Sequence, residues 1–199
     1  MIALTSFDQS KKNTYKSLHL EILTDTIYIS ESDPRASIKV ACKNNTDSTL
    51  ILYGIDGNIH TPPFPIRKMI CDTEKINTFL ACFVYDNDDK LQASIHYYVN
   101  DGTPKTKERL DSLLEIGKVN FRKNTRVMKK SEVIILEKEV NFLEYGLKKG
   151  TYYVELVYSS GEKIINYVNE SQIEEDKKNN CAYIFKGCII SHKIPLRVS

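Results

Sequence analysis

The stretch Leu147-Lys-Lys-Gly150-Thr-Tyr152-Tyr-Val154-Glu-Leu156-Val-Tyr158 decides the fold class of this chain. Gly150 permits a sharp bend, and from Tyr152 onward every second residue is large and apolar. Such alternation is typical of a β-strand with one face buried, because successive side chains point to opposite faces. The stretch therefore predicts a tight corner followed by a strand, and nothing in it indicates a reaction.

The same period of two recurs along the chain and predicts a mostly β protein. Alternating apolar residues occupy 18–22 and 38–42, and residues 50–55 are apolar on both sides, as in a central strand. The run 79–85, the polar turn 86–89 and the alternating run 91–99 together predict a hairpin. Further strands are predicted at 133–136, 140–142, 182–185 and 194–198.

One segment instead shows the signals of a helix. Thr103 is a good N-cap and Pro104 suits the first helical position. Leucines at 110, 113 and 114 form an apolar stripe, and Gly117 is a typical stop. These residues predict a single α-helix at about 104–116, inserted between strands.

The domain organisation follows from these patterns. Residues 1–17 are predicted to be an N-terminal tail or edge segment. Residues 18–199 are predicted to form a single β-sandwich domain with a helical insertion at 103–117, a size usual for one β domain. Residues 161–180 are interpreted as a polar connection.

The corner motif Leu147-x-x-Gly150-x-Tyr152 resembles the tyrosine corner of immunoglobulin-like and fibronectin-like sandwiches. The chain end, residues 185–198, is similar to the final strand of bacterial sandwich domains of this kind. The chain has no Trp, so the Cys–Trp–Cys core is missing, and the helical middle departs from the seven-strand plan. The resemblance implies an antiparallel immunoglobulin-like β-sandwich of a bacterial, envelope-type protein, used for adhesion, binding or inhibition. It also implies that Gly150 and Tyr152 are structural, with the phenol bonding to backbone just upstream.

Composition and charge exclude several classes of protein. Of 199 residues, 41% are hydrophobic and 27% charged, and the net charge is only +2, which gives no general attraction to nucleic acid or anionic lipid. No apolar run approaches the roughly 20 residues that span a bilayer. The chain start shows no export signal, so we expect a cytoplasmic protein if the sequence is complete, and a periplasmic or cell-envelope protein if a leader was removed.

The five cysteines show no metal-site or redox spacing. Their number is odd and no Cys-x-x-Cys occurs. Cys42 lies on the apolar face of a predicted strand and is interpreted as a small buried hydrophobic residue. A single disulfide, such as Cys71 to Cys82, is compatible with the sequence.

No motif of catalysis or metal binding stands out, so we expect no catalytic residue, cofactor or metal. The sequence lacks Gly-x-Ser-x-Gly, His-Glu-x-x-His, P-loop and dinucleotide-binding patterns. His19 and His96 fall on polar strand faces. Cys188 and His192 would lie about 13 Å apart on one strand, too far for a nucleophile and its base. Residues 86–90 resemble a calcium loop in composition only, and a turn explains them better.

A basic segment at 118–130 is the sharpest electrostatic feature. It holds six basic residues and no acidic one, and Phe121 is its only aromatic. It can be interpreted as a surface for an anionic partner or as a solvated loop after the helix. One aromatic is too little to stack single-stranded bases. The candidate contact residues are Lys118, Phe121, Arg122, Lys123, Arg126, Lys129 and Lys130.

The segment Thr61-Pro-Pro-Phe64-Pro65 also allows two interpretations. It could be a ligand for a proline-recognising groove, with Phe64 as the contact, or it could protect a sheet edge. The edge interpretation is favoured.

We therefore expect a non-enzymatic binding domain with a protein partner. An inhibitor or immunity-type protein that blocks a partner enzyme or toxin is the first alternative. An enzyme whose site assembles from residues far apart in sequence is the second.

Overall fold

The computed structural model describes residues 18–61, 79–94, 106–161 and 167–199. Within these ranges the chain is mostly β, as the alternation predicts. The strands are β1 (Leu18–Ile22), β2 (Ile27–Ile29), β3 (Arg35–Asn44), β4 (Thr49–Leu52), β5 (Phe79–Tyr85), β6 (Arg126–Met128), β7 (Val133–Asn141), β8 (Gly150–Ser160), β9 (Ala182–Ile184), β10 (Gly187–Ile190) and β11 (Ile194–Val198). The helices are α1 (Lys107–Lys123) and α2 (Glu170–Asn180), with a 3-10 turn at Phe142–Tyr145.

Two sheets form the body of the protein. The first is antiparallel, in the order β1-β3-β7. In the second, β8 pairs with β5 on one edge and with β10 and then β11 on the other, and β2 adds to β11 in parallel. Ser191, between β10 and β11, continues the hydrogen bonding along this edge of β8. Its N–H donates to the Leu156 carbonyl, and its Oγ accepts from the Leu156 N–H, both at 2.9 Å.

The alternating apolar residues of both sheets share one core. Leu20, Val40 and Leu136 from the first sheet belong to the same buried cluster as Leu156 and Leu196 from the second. Each such side chain contributes roughly 1.5–3 kcal/mol when fully buried. The period of two in the sequence therefore brings these two sheets together on a common core.

A third, smaller sheet extends this core on one side. It runs β6-β4-β9, with β4 antiparallel to β6 and parallel to β9. Leu50 and Leu52 join the main core, while Ile51 and Tyr53 belong to a separate cluster with Val168. A strand buried on both faces explains why residues 50–55 are apolar without alternation.

The helical prediction is wrong in its end and in the number of helices. Helix α1 continues through Gly117 to Lys123, because Phe121 packs against Tyr53, which follows β4, and Tyr167, which precedes α2, and this packing outweighs the roughly 1 kcal/mol that a glycine costs inside a helix. Residues 103–105 lie outside the described ranges. The predicted polar connection holds the second helix, α2, which the Asn169 side chain caps by accepting from the Gln172 N–H at 2.8 Å.

The predicted hairpin begins as expected. Leu91 bridges Tyr85 in antiparallel fashion and the Gln92 N–H donates to the Val84 carbonyl at 2.8 Å, while the other edge of β5 pairs with β8, more than 60 residues away along the chain. The turn itself is present, because Asp86 Oδ1 accepts from the Asp88 and Lys90 N–H groups at 3.0 and 2.9 Å. Residues 95–99 lie outside the described ranges, as do the tail 1–17 and the Pro segment with Phe64.

Candidate protein-binding surface

The tyrosine corner makes the contact that its spacing suggests. The Tyr152 hydroxyl accepts a hydrogen bond from the Lys148 N–H at 3.3 Å, and its half-buried ring packs against the core. Gly150 has a φ of 159°, and a Cβ there would meet nothing closer than 3.7 Å. The corner is therefore a structural device at the start of β8.

A second phenol supports this region, and the sequence patterns gave no sign of it. Tyr145 is buried, and its hydroxyl donates to the Cys82 carbonyl at 2.6 Å. Burial raises the pKa of Tyr145 well above its ordinary value. It thereby ties the 3-10 turn before the corner to β5 in the second sheet.

The basic segment is folded into helix and strand for most of its length. Lys118, Phe121, Arg122 and Lys123 lie in the last two turns of α1. Arg126 begins β6. Lys129 and Lys130 follow β6 in the turn before β7. The solvated-loop interpretation is therefore wrong for the helical and strand residues, which hold fixed positions along one side of the third sheet.

Three of the six cations are paired with carboxylates. Lys118 Nζ lies 2.6 Å from Glu115 Oε1, and Lys130 Nζ lies 2.5 Å from Asp47 Oδ1. The bond from Lys130 lowers the pKa of Asp47. Arg126 forms an ion pair with Asp56.

The other three cations have no ion pair with any residue that the structure describes. They are Arg122, Lys123 and Lys129, and all are exposed. Arg122 and Lys123 stand side by side at the end of α1, whereas Lys129 lies beyond the far end of β6. We define these three residues as the unpaired cations.

A stack of three aromatic rings lies beneath the end of α1. Phe121 packs between Tyr53 and Tyr167, with ring centroids 6.0 and 4.8 Å away and interplanar angles of 4° and 24°. Gly54 makes room for this stack: its φ is 69°, and a Cβ there would lie 3.0 Å from the Phe121 ring. The stack holds α1 on the third sheet.

Two cavities open on either side of Arg122, between α1 and α2. The first, about 300 Å³, is lined by Lys118, Val119 and Arg122 of α1 and by Gln172 of α2. The second, about 380 Å³, is lined by Arg122 and Lys123, by Val127 of β6 and by Asp176 and Asn180 of α2. Arg122 lines both cavities, and we call the two cavities together the α1–α2 groove.

A hydrogen bond holds α2 at the side of this groove. The Tyr53 hydroxyl donates to Asp176 Oδ2 at 2.7 Å. Burial, and then this bond, raise the pKa of the Tyr53 phenol well above its ordinary value. The bond matters because α2 has no buried residue of its own.

The described histidines and cysteines do not come together in one site, and burial or a disulfide makes several of the thiols unreactive. His19 and His192 are exposed, and His96 lies outside the described ranges. Cys188 is disulfide-bonded and buried, so it offers no thiolate. The described residues hold no group of three or more His, Cys, Asp or Glu that could bind a metal ion. What the region offers is exposed charge at its surface, with stacked aromatic rings beneath.

The structure corrects one cysteine prediction and confirms another. Cys82 is a free, buried thiol, so the Cys71–Cys82 disulfide is wrong. Cys42 is free and fully buried, as its strand phase predicts, and burial raises its pKa to about 12. Cys42 and Cys82 lie in the first and second sheets and belong to the same core cluster.

Comparison with protein-family models and with curated proteins finds no match for this chain. In the described part of the chain, neither helix has the length and apolar character needed to span a bilayer.

Proposed function

We propose that this chain is a non-enzymatic, immunoglobulin-like binding domain that recognises an acidic protein through its unpaired cations. The observation that carries the proposal is the contrast within the basic segment. Three cations are paired with carboxylates, and three exposed ones have no ion pair with the described residues. Cations without a partner keep their hydrogen-bonding capacity for a second molecule.

The strand order supports the immunoglobulin-like part of the proposal. In immunoglobulin domains, strands A, B and E share one sheet and strands C, F and G share the other, with a tyrosine near the start of F. Here β1, β3 and β7 stand in the first sheet, and β5, β8 and β10–β11 in the second, with Tyr152 near the start of β8. The third sheet and both helices would then be additions to that plan.

The aromatic geometry favours a protein over single-stranded nucleic acid. Phe121, the one aromatic residue of the basic segment, is already stacked with Tyr53 and Tyr167 and partly buried among them, which disfavours its use as a platform for a base. Arginine's planar fork matches a carboxylate with two parallel hydrogen bonds and a phosphate equally well, so the test below includes an oligonucleotide.

The non-enzymatic part rests on the state of the nucleophiles and acids that the structure describes. Cys42 and Cys82 are buried thiols and Cys188 is disulfide-bonded, while Cys181, at the end of α2, is free and exposed. Asp176 accepts from Tyr53 at the side of the groove, where it is a structural acceptor. No nucleophile and base come together there, which supports binding over catalysis.

The test compares two triple variants that each remove three positive charges. One replaces the unpaired cations (R122Q, K123Q and K129Q), and the other replaces the paired ones (K118Q, R126Q and K130Q). We expect the first to weaken binding of fluorescein-labelled poly-L-glutamate about tenfold or more, equivalent to about 1.4 kcal/mol, and the second to weaken it much less. The second should lower the thermal midpoint more, because it leaves Asp56 half-buried without its arginine.

Two outcomes would contradict the proposal. Equal weakening by both triple variants would mean that only net charge matters. Tighter binding of the unchanged protein to a single-stranded oligonucleotide of matched charge than to poly-L-glutamate would point to nucleic acid instead.

A further inference from the structure

The α1–α2 groove combines open charge with exposed apolar surface. Arg122 stands at its centre, and Val119 and Val127 lie at its sides with 51% and 39% of their surfaces exposed. Such a surface can make an ion pair through the arginine and an apolar contact through the partly exposed valines.

The acidic residues of the groove are already engaged. Glu115 binds Lys118 at 2.6 Å. Asp176 accepts from Tyr53 at 2.7 Å and from Gln172 Nε2 at 3.3 Å. Arg122 and Lys123 are therefore the charges that remain open to a ligand, and both are positive.

The length of the groove sets the size of its ligand. Gln172, Asp176 and Asn180 line it at intervals of four residues along α2. Eight residues of helix rise about 12 Å, which matches about two helical turns or four extended residues of a partner. The ligand is thus a short segment, not a broad surface.

We propose that the α1–α2 groove binds a short acidic segment of the partner protein, with Arg122 as its anchor. A carboxylate of that segment pairs with the Arg122 guanidinium, and an adjacent apolar side chain packs on Val119 or Val127. This assignment rests on the proposed function and narrows it to one site. Inorganic phosphate and nucleic acid fit less well, because a phosphate has no apolar side chain to pack on the exposed Val119 and Val127.

The position of Arg122 and Lys123 has a competing structural explanation. Both lie in the last turn of α1, where cations stabilise a helix through its dipole. That role would require neither the groove nor the exposed valines. The experiment must therefore measure ligand binding and helix stability separately.

The experiment uses the full chain and two labelled peptides of about 12 residues, enough to cover the groove as a helix with a turn to spare. One peptide contains only Glu, and the other alternates Glu pairs with Leu pairs. We expect the Glu/Leu peptide to bind about fivefold tighter than the all-Glu peptide, a gain of about 1 kcal/mol. R122Q should weaken its binding about tenfold, R122K by less because the charge remains without the fork, and V119S should remove the preference for Leu.

K129Q is the matched control, because it removes an unpaired cation outside the groove. If K129Q weakens peptide binding as much as R122Q does, the unpaired cations bind acids but the groove assignment is wrong. If neither peptide nor poly-L-glutamate binds the unchanged protein, the proposed function itself fails. If phosphate at the concentration of the buffer displaces the peptide completely, the groove is an anion site and not a peptide site. Circular dichroism of each variant checks that α1 is retained.

Discussion

At the scale of single residues, two tyrosines brace the start of β8 in environments that differ in burial. Tyr152 is half-buried and accepts from the Lys148 N–H at 3.3 Å. Tyr145 is buried and donates to the Cys82 carbonyl at 2.6 Å. Removing a hydroxyl costs more where the partner is left unpaired away from water.

We predict that Tyr145→Phe destabilises the protein more than Tyr152→Phe. Tyr145→Phe leaves a buried carbonyl without its donor, which costs about 1–3 kcal/mol, whereas Tyr152→Phe should cost about 0.5–1.5 kcal/mol because water can reach the Lys148 N–H. Urea unfolding of both variants measures the difference. A larger loss of unfolding free energy for Tyr152→Phe would show that the hydrogen bond of the corner stabilises the protein more than the hydrogen bond of the 3-10 turn.

The contrast between these residues also shows what a sequence can reveal. The partner of Tyr152 lies four residues upstream, so a local spacing predicts the contact. The partner of Tyr145 lies 63 residues away, and no local pattern encodes it. The six cations of the basic segment are similar: their positive charge is visible in the sequence, but which of the six bind Asp47, Asp56 or Glu115 depends on the fold.

At the scale of elements, α2 is held to the protein by little more than its contact with Tyr53. It has no buried residue, and Ile173 is its only apolar side chain in the cluster beneath it. A helix that is polar on all sides depends on such specific contacts and on its cap. The same polarity hid α2 from the hydrophobic pattern, although Asn169 followed by Gln172 at the third helical position is a capping signal.

We predict that Tyr53→Phe loosens α2 without unfolding the β-sheets. The loss of one hydrogen bond to Asp176, about 0.5–1.5 kcal/mol, should raise trypsin cleavage after Lys177 or Lys178 about two- to tenfold. Cleavage after Lys39, in the middle of β3, serves as the internal control and should not change. Equal increases at both places would indicate global destabilisation, and no increase at Lys177 or Lys178 would show that the bond does not hold the helix.

At the scale of the whole molecule, the alternating segments were enough to predict sheets, but not which strands pair. The sequence around β5 predicts a local hairpin, and Leu91 does bridge Tyr85 across the polar turn, but the long pairing of β5 with β8, more than 60 residues away, has no local signal. Pairings across long separations are decided by the shared core, to which Leu80 of β5 and Leu156 of β8 both belong. The α1–α2 groove depends on the same long-range packing, so the sequence indicated its cations but not its shape.

Two buried thiols, one on each of the two main sheets, allow a test of whether the two sheets unfold together. Cys42 on β3 and Cys82 on β5 are both fully buried and free, whereas Cys181 is exposed. Burial raises the pKa of both core thiols, so the thiolate that reacts with a labelling reagent is scarce in the folded state.

We predict that Cys42 and Cys82 are labelled at one common rate, set by global unfolding, while Cys181 reacts at once. Because the two sheets share a single cluster, neither thiol should become accessible without separating them. Peptide-resolved mass spectrometry after timed alkylation across a urea series measures both rates, and their dependence on urea should match that of the equilibrium transition. Earlier labelling of Cys82 than of Cys42 would mean that β5 opens while the first sheet stays folded, and the face-to-face packing would then not act as one cooperative unit.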